Sequence, residues 1–338
     1  MVVAQYRSST LTRSKFDPSV SLQRLSLGFF YGESKMFKPL LAYQKSPTIT
    51  YPVSASPKID GIRGLCIDGV VKSRTLKNIP NTHIQEHYGH FLLDYIDGEF
   101  TIGPPTAKDV YRRSTSIIMS HDKPIDDIMF HIFDDFTELE WAYTLRYYAL
   151  SSRFNYLKEK FKINLVPSVL IKNKEELDAY ESVCLDEGYE GLMLRKPSGH
   201  YKCGRSGNKE GILLKLKRFV DSEARIIGIE AGSKNMNEAY TNEVGRTARS
   251  TKKENIIDDD IIGHFICEDI HGLFPGIQFK VARGVLTHDD ARHGFINQQE
   301  WLGKIIKYKF FEGGNYEYPR FANYQGERSA IDIVTDER

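Results

Sequence analysis

Between residues 126 and 136, DDIMFHIFDDF, the chain alternates strictly: Ile128, Phe130 and Ile132 fall on one side, Met129, His131 and Phe133 on the other. A period of two with two different faces predicts a β-strand. FLLDYIDGEF, residues 91 to 100, is an apolar run that predicts a second strand, with the carboxylates of Asp97 and Glu99 at its end. From Arg63 to Arg74 two short strands flank Asp68-Gly69, a pair suited to the left-handed backbone of a type I′ hairpin turn. YEGLMLRKP, from residue 189, predicts a further short strand preceded by Glu190.

Two helices separate these strands. The first, about 138 to 161, carries aromatics and leucines on an irregular stripe. The second opens at Asn173, a good N-cap, with Glu176 three residues later as in a capping box, and stops at Gly188. Leu177, Tyr180 and Cys184 are its predicted buried face. From about Val220 the pattern becomes short strands with Gly-rich turns: EARIIGIEAG, GHFICEDI, IQFKVARG and GKIIKYKFFEGGNYEYPRF, the last a hairpin around Gly313-Gly314-Asn315. That pattern predicts a small β-barrel or sandwich. The expected organisation is a poorly ordered extension over 1–35, a first domain over 36–219 and a second over 220–338.

Composition narrows the class. A chain of 338 residues with 41% hydrophobic residues is long enough for two cores. Net charge is only +1, so bulk charge predicts no polyanionic partner. Locally, the run from Arg195 to Arg218 is rich in Lys and Arg with Glu210 as its single acid, a strip compatible with phosphate. Cys66, Cys184, Cys203 and Cys267 are widely spaced and form no C-x-x-C pair, which predicts reduced thiols in a cytoplasmic setting and no zinc site. No apolar run approaches the ~20 residues of a membrane-spanning helix. There is also no P-loop and no strand, G-x-G-x-x-G, helix unit, so a nucleotide would be held another way.

The candidate chemistry centres on SPKIDGIRG, residues 56 to 64, which sets Lys58 between a proline and a glycine turn. A free lysine has a pKa near 10.4, so about one molecule in 2,500 is a nucleophilic amine at neutral pH. Burial and neighbouring cations lower that value, and Lys58 fits the requirement if Lys215, Lys217 and a Mg²⁺ ion converge on it. Lys215 and Lys217 alternate on a strand and so share a face. In order along the chain come SRTLK (73–77), DGEF (97–100), HIFDD (131–135), YEGLMLR (189–195) and LLKLKR (213–218).

This ordered set resembles the motifs of covalent nucleotidyltransferases, and most of all the small ATP-dependent DNA ligases of phages and large DNA viruses, over about residues 36 to 321. The resemblance implies an α+β fold: an ATP-grasp-like adenylation domain with antiparallel sheets and flanking helices, followed by a small all-β OB-fold domain. It implies that Lys58 attacks the α-phosphate of ATP, with Arg63 near the ribose and phosphates, Glu99 on the ribose hydroxyls and Phe133 stacked on the base. Glu190 and Glu99 would position Mg²⁺, and Lys215 and Lys217 would stabilise charge on the α-phosphate. Arg74, Lys202 and Arg205 would meet nucleic-acid phosphates, and Asp60 would hold the turn.

The implied reaction is sealing of 5′-phosphate/3′-hydroxyl nicks in duplex DNA, as used in replication, repair and recombination, by a monomeric virus- or phage-encoded enzyme in the host cytoplasm. A rotation between the two domains, about a linker near residue 220, is implied as well. Two departures from the family pattern stand out. Ser56 occupies a position where many relatives carry Glu, and the basic closing motif is blurred, leaving Arg320 and Arg328 as candidates. An RNA ligase, a capping guanylyltransferase and a catalytically silent nucleic-acid-binding protein share parts of this pattern. RNA ends, preference for GTP and absence of turnover, respectively, distinguish them.

Overall fold

The computed structural model describes residues 37–43, 48–217, 219–311 and 318–328. The expected extension over 1–35 and the Gly313-Gly314-Asn315 turn lie outside these residues. Strand β1 (Val53–Pro57) leads into the Lys58 turn, and β2 (Ile62–Ile67) and β3 (Val70–Lys72) follow as the predicted hairpin. Asp68 and Gly69 take φ of 52° and 69°, the two left-handed positions that a type I′ turn needs. Helix α1 (Thr82–Tyr88) starts at Asn81, whose side chain accepts from the Ile84 amide.

Strand β4 (Ile96–Ile102) begins later than the apolar run suggests. Phe91–Leu93 instead form a 3₁₀ turn, and Tyr95, at φ 64°, breaks the extended backbone before the strand. Asp97 and Glu99 therefore lie within the strand rather than at its end. After α2 (Val110–Ile118) comes β5 (Ile128–Asp135), the alternating segment, then α3 (Tyr143–Leu157), β6 (Ile163–Leu165) and β7 (Val169–Ile171). Helix α4 (Lys174–Asp186) starts at Asn173, whose side chain accepts from the Glu176 amide at 2.8 Å. Glu176 reaches back to the Lys172 amide, one residue beyond the usual box. Its buried residues are Leu177, Glu181 and Cys184, with Tyr180 only partly covered. Strands β8 (Leu192–Arg195) and β9 (Leu213–Leu216) complete this half.

These strands make two sheets, β3-β2-β4-β5-β6 and β7-β1-β8-β9. Pairing is antiparallel except between β5 and β6. Each sheet has an outer core. Phe100, Phe130, Ile132, Ile84 and Leu150 pack on one, and Ala55, Leu192, Leu194, Leu214 and Leu177 on the other. A third cluster, with Leu65, Ile67, Leu213, Tyr201 and Met193, bridges the sheets.

Beyond residue 219 the strands are β10 (Val220–Asn235), β11 (Ala239–Thr241), β12 (Thr247–Arg249), β13 (Ile256–Asp269) and β14 (Gln278–Ala282). Helix α5 (His288–Ile296) and strands β15 (Ile305–Phe311) and β16 (Arg320–Arg328) follow. β10-β13-β14-β16-β15 close into a barrel, and β11 with β12 forms a separate ribbon. Ile226, Phe265, Val281 and Tyr308 are among the residues that fill the barrel. The region is not all-β, because α5 lies between β14 and β15. Its cap was present in the sequence: Thr287 accepts from the Asp290 amide at 3.1 Å, and Asp289 and Asp290 occupy the first turn, where the helix dipole favours anions. The described residues from Phe37 onward group as one compact unit. Among the described residues no helix is long and apolar enough to cross a membrane.

Candidate active site

Strand alternation sorts the candidate residues onto one side. On β1, Val53 and Ala55 enter the outer core, so Ser54 and Ser56 face the other sheet and Lys58 continues that row. On β8 and β9, Leu192, Leu194 and Leu214 point outward, while Met193 and Leu213 join the bridging cluster; Arg195 and Lys215 share their face. On the opposite sheet Leu65 joins the bridging cluster, and Phe100 and Phe130 face the outer core. Arg63, Glu99 and Phe133 therefore face inward. Arg63 and Glu99 are direct partners in the β2–β4 register.

At the mouth of this cleft, Lys58 donates from its backbone to the Gly191 carbonyl at 2.8 Å, which fixes the turn against the start of β8. Its ammonium pairs with Glu190 Oε2, and Lys217 pairs with Glu190 Oε1. The Glu190 side chain is only 6% exposed, so two cations share one buried carboxylate. Burial alone disfavours the charged carboxylate, but Lys58 and Lys217 outweigh it and hold its pKa below the usual value.

This arrangement corrects one expectation. Lys58 was expected to have a lowered pKa. Burial does press it down, but Glu190, with Glu99 and Asp60, more than compensates, and the pKa of Lys58 is raised. The depressed lysines are its neighbours: Lys215, through burial and then Lys58, and Lys217, through burial outweighing Glu190 and aided by Lys58 and Arg320. Burial also pushes the Glu99 carboxyl up to about 7, against the pull of Lys58 and Arg63.

Arg63 is held by Asp97, not Glu99. Its Nε donates to Asp97 Oδ1 at 2.8 Å, a second donor goes to Oδ2, and Nη1 donates to the Leu40 carbonyl at 2.7 Å. Tyr201 donates to the same carboxylate at 2.8 Å. The Phe133 ring has Arg63 at 5.7 Å and Arg195 at 5.0 Å. Arg74 is exposed, in the turn after β3. Arg74 and Arg205 are close enough to Lys215 to contribute to its lowered pKa, and Arg205 also donates to the Ala42 carbonyl at 2.6 Å. Lys202 is paired with Glu210 at 2.6 Å, the single acid of the basic strip. Of the two closing candidates, Arg320 reaches the site, 3.1 Å from Asp60, while Arg328 pairs with Glu223 at 2.6 Å within the barrel half.

Sequence reasoning gave no site role to Asp97, Tyr201, Asp134, Arg146 or Arg195. Asp97 was within reach, since it lies two residues before Glu99 on the same strand and must share its face. Arg146 carried no such signal: it comes from α3 and is buried only because the helix packs over the end of β5, where it pairs with Asp134 at 2.8 Å.

The comparisons with known proteins agree with one another. A family model described as the ATP dependent DNA ligase domain matches residues 48–217. A DNA ligase of African swine fever virus is 27% identical over 110 residues, 32% of this chain and 26% of the viral protein, so the match spans about a quarter of that relative's length. The crystal structure of Chlorella virus DNA ligase-adenylate is 30% identical, with a TM-score of 0.50, covering 87% of this chain and 99% of that one. A Lig E DNA ligase structure, 22% identical with a TM-score of 0.62, covers 87% and 100% and shares the fold. The chain belongs to the ATP-dependent DNA ligase family.

Proposed function

We propose that the protein seals 5′-phosphate/3′-hydroxyl nicks in duplex DNA, using ATP, through a lysyl-AMP intermediate. The observation that carries this reading is the convergence of Lys58, Glu190 and Lys217 in direct contact at the mouth of a cleft lined by Glu99, Arg63, Phe133 and Lys215. In the first step Lys58 Nζ attacks the α-phosphorus of ATP. The bond to the bridging oxygen breaks, pyrophosphate leaves and AMP remains on Nζ. AMP then passes to the 5′-phosphate of the nick, which frees Lys58, and the adjacent 3′-hydroxyl displaces AMP to complete the phosphodiester.

Each side chain has a part in this scheme. Lys58 must lose its proton to attack, so nucleotide binding has to draw it away from Glu190, the main attraction that raises its pKa. Lys215 and Lys217 face the α-phosphate and offset charge that builds in transfer, a role suited to partly buried cations at the edge of a cleft. Glu99 accepts from the ribose hydroxyls, Arg63 orients the sugar and phosphates, and Phe133 offers a stacking face to the base. Arg74 and Arg205, beside Lys215, address the DNA 5′-phosphate, and Lys202 joins them when Glu210 releases it.

Mg²⁺ is the implied metal. Among the described residues there is no group of three or more His, Cys, Asp or Glu side chains placed to hold an ion. Glu99 and Glu190 are the two carboxylates that would hold it, a set suited to a hard cation completed by phosphate oxygens and water. When bound, the ion offsets the negative charge of the reacting phosphates.

The barrel supports an OB-fold reading for residues 220–338. Numbered within the barrel, its strands close in the order 1-2-3-5-4, with a helix between the third and fourth.

The test is sealing of a nicked duplex with ATP and Mg²⁺ by the wild type and by Lys58→Ala. Sealing by the wild type and none by the variant is expected. A wild type that takes up labelled AMP at Lys58 yet joins only RNA ends would replace DNA ligase with RNA ligase. Absence of any adduct with ATP would overturn the reading.

A further inference from the structure

Behind the cleft, two arginines share one buried carboxylate. Arg146 takes both oxygens of Asp134, at 2.8 and 3.2 Å. Arg195 stands 3.8 Å from Asp134 Oδ2, too far for a hydrogen bond, and its Nε has no hydrogen-bond partner among the described residues. Its hydrogen bond to Ser56 Oγ is long, 3.3 Å. The Arg195 side chain is 4% exposed. A buried guanidinium with so few bonds is costly to keep, and Asp134 is already satisfied by Arg146. What Arg195 does have is aromatic rings: Phe133 at 5.0 Å and Tyr143 at 5.1 Å.

We infer that Arg195 is a positioning residue for the nucleobase subsite, and that it works by holding the Phe133 ring in the orientation in which the base stacks on it. The inference rests on the reading of Phe133 as the stacking aromatic, given above. Two features of the structure support it. Alternation puts Arg195 on the inward face of β8, as Phe133 lies on the inward face of β5, so the guanidinium spans from one sheet to the ring on the other. Its contact with Ser56 ties the same group to the row that carries Lys58, two residues on. A ring that must accept a base has to be fixed before the base arrives, because an ordered platform lowers the entropy lost on binding.

A structural role and a positioning role predict different results. Removing Arg195 leaves no carboxylate unpaired, because Arg146 keeps Asp134. Arg195→Met should therefore melt within a few degrees of the wild type. Formation of lysyl-AMP, measured in single turnover against ATP concentration, should show half-saturation moved up by about tenfold. The saturating rate should stay within about twofold. Arg195→Lys, which keeps the charge but not the planar guanidinium, should recover only part of the affinity. In a Phe133→Leu background the Arg195→Met effect on half-saturation should vanish, since there is no ring left to hold.

The inference is overturned if Arg195→Met lowers the saturating rate and leaves half-saturation unchanged, or if its effect persists undiminished without the Phe133 ring. Should Arg195→Met fail to fold, Arg195→Lys and Ser56→Ala, alone and with Phe133→Leu, carry the same comparison, and the same persistence in the double variants overturns it. A wild type that forms no lysyl-AMP from ATP would instead defeat the functional reading on which the inference stands, a result separate from any ratio between variants.

Discussion

Glu99 is the residue whose titration carries the most information. Burial raises its pKa to about 7, above the ordinary value of 4.5, so the folded protein binds this proton more tightly than the unfolded chain. The favourable contribution is fully present below about pH 4.5 and is lost as the pH rises through about 7. Glu99→Gln, which stays neutral, should escape that loss. Relative to the wild type it should be unchanged at pH 4 and more stable at pH 8, by about 1–3 kcal/mol, read as the difference in denaturant midpoints. Equal stability of the two proteins at pH 8 would show that the folded protein does not disfavour the Glu99 anion. The raised pKa of Lys58 belongs to the same scale. Sequence reasoning named Lys58 as the nucleophile and Glu190 as an acid for the metal, and expected cations to dominate around Lys58. The bound carboxylate decides otherwise, because an opposite charge in direct contact outweighs like charges farther off.

At the scale of elements, Gly191 sets the geometry of the site. It adopts φ 141°, and a Cβ there would lie 2.4 Å from the Leu216 carbonyl oxygen. Its own carbonyl accepts from the Lys58 amide. One residue thus joins the Lys58 turn, β8 and β9 at a separation that only glycine permits. Gly191→Ala should destabilise the protein by about 1–3 kcal/mol. It should also slow AMP loading, because Glu190 is displaced along with the strand; unchanged loading kinetics would detach Glu190 from this role. The hairpin at Asp68-Gly69, the Asn173 cap and the alternation of β5 were all legible, since each depends on a few neighbouring residues. The start of β4 was not, because an apolar run of that length does not distinguish a strand from a 3₁₀ turn capped by His90. Helix α5 went unread although Thr287 and Asp290 signal its start, because the surrounding strands set the expectation for the whole region.

For the whole molecule, the significant contacts are those between the barrel and the two-sheet half. Arg320 pairs with Asp60, two residues after Lys58, and the Phe311 and Phe321 rings lie 3.6 and 4.7 Å from the Lys217 ammonium. At the other end, Lys77 donates to the Tyr240 hydroxyl at 3.2 Å, joining the β11–β12 ribbon to the turn after β3. The barrel end thus lies against Lys217 and the Lys58 turn. Arg320→Ala should slow lysyl-AMP formation by about tenfold or more. Sealing of a nick that already carries AMP should change far less. Equal losses in both assays would argue against a closing role for Arg320.

The sequence by itself determined the order of the motifs, the candidate lysine within them and most of the sheet-forming segments, because these are written in local spacing and alternation. It also placed Lys215 and Lys217 on one face. Only the tertiary structure decided who pairs with whom: Glu190 between Lys58 and Lys217, Asp97 with Arg63, Lys202 with Glu210, Arg320 rather than Arg328 at the site. Charge pairing depends on distances between segments far apart in the chain and on how deeply each is buried, and neither is encoded in any short stretch of residues.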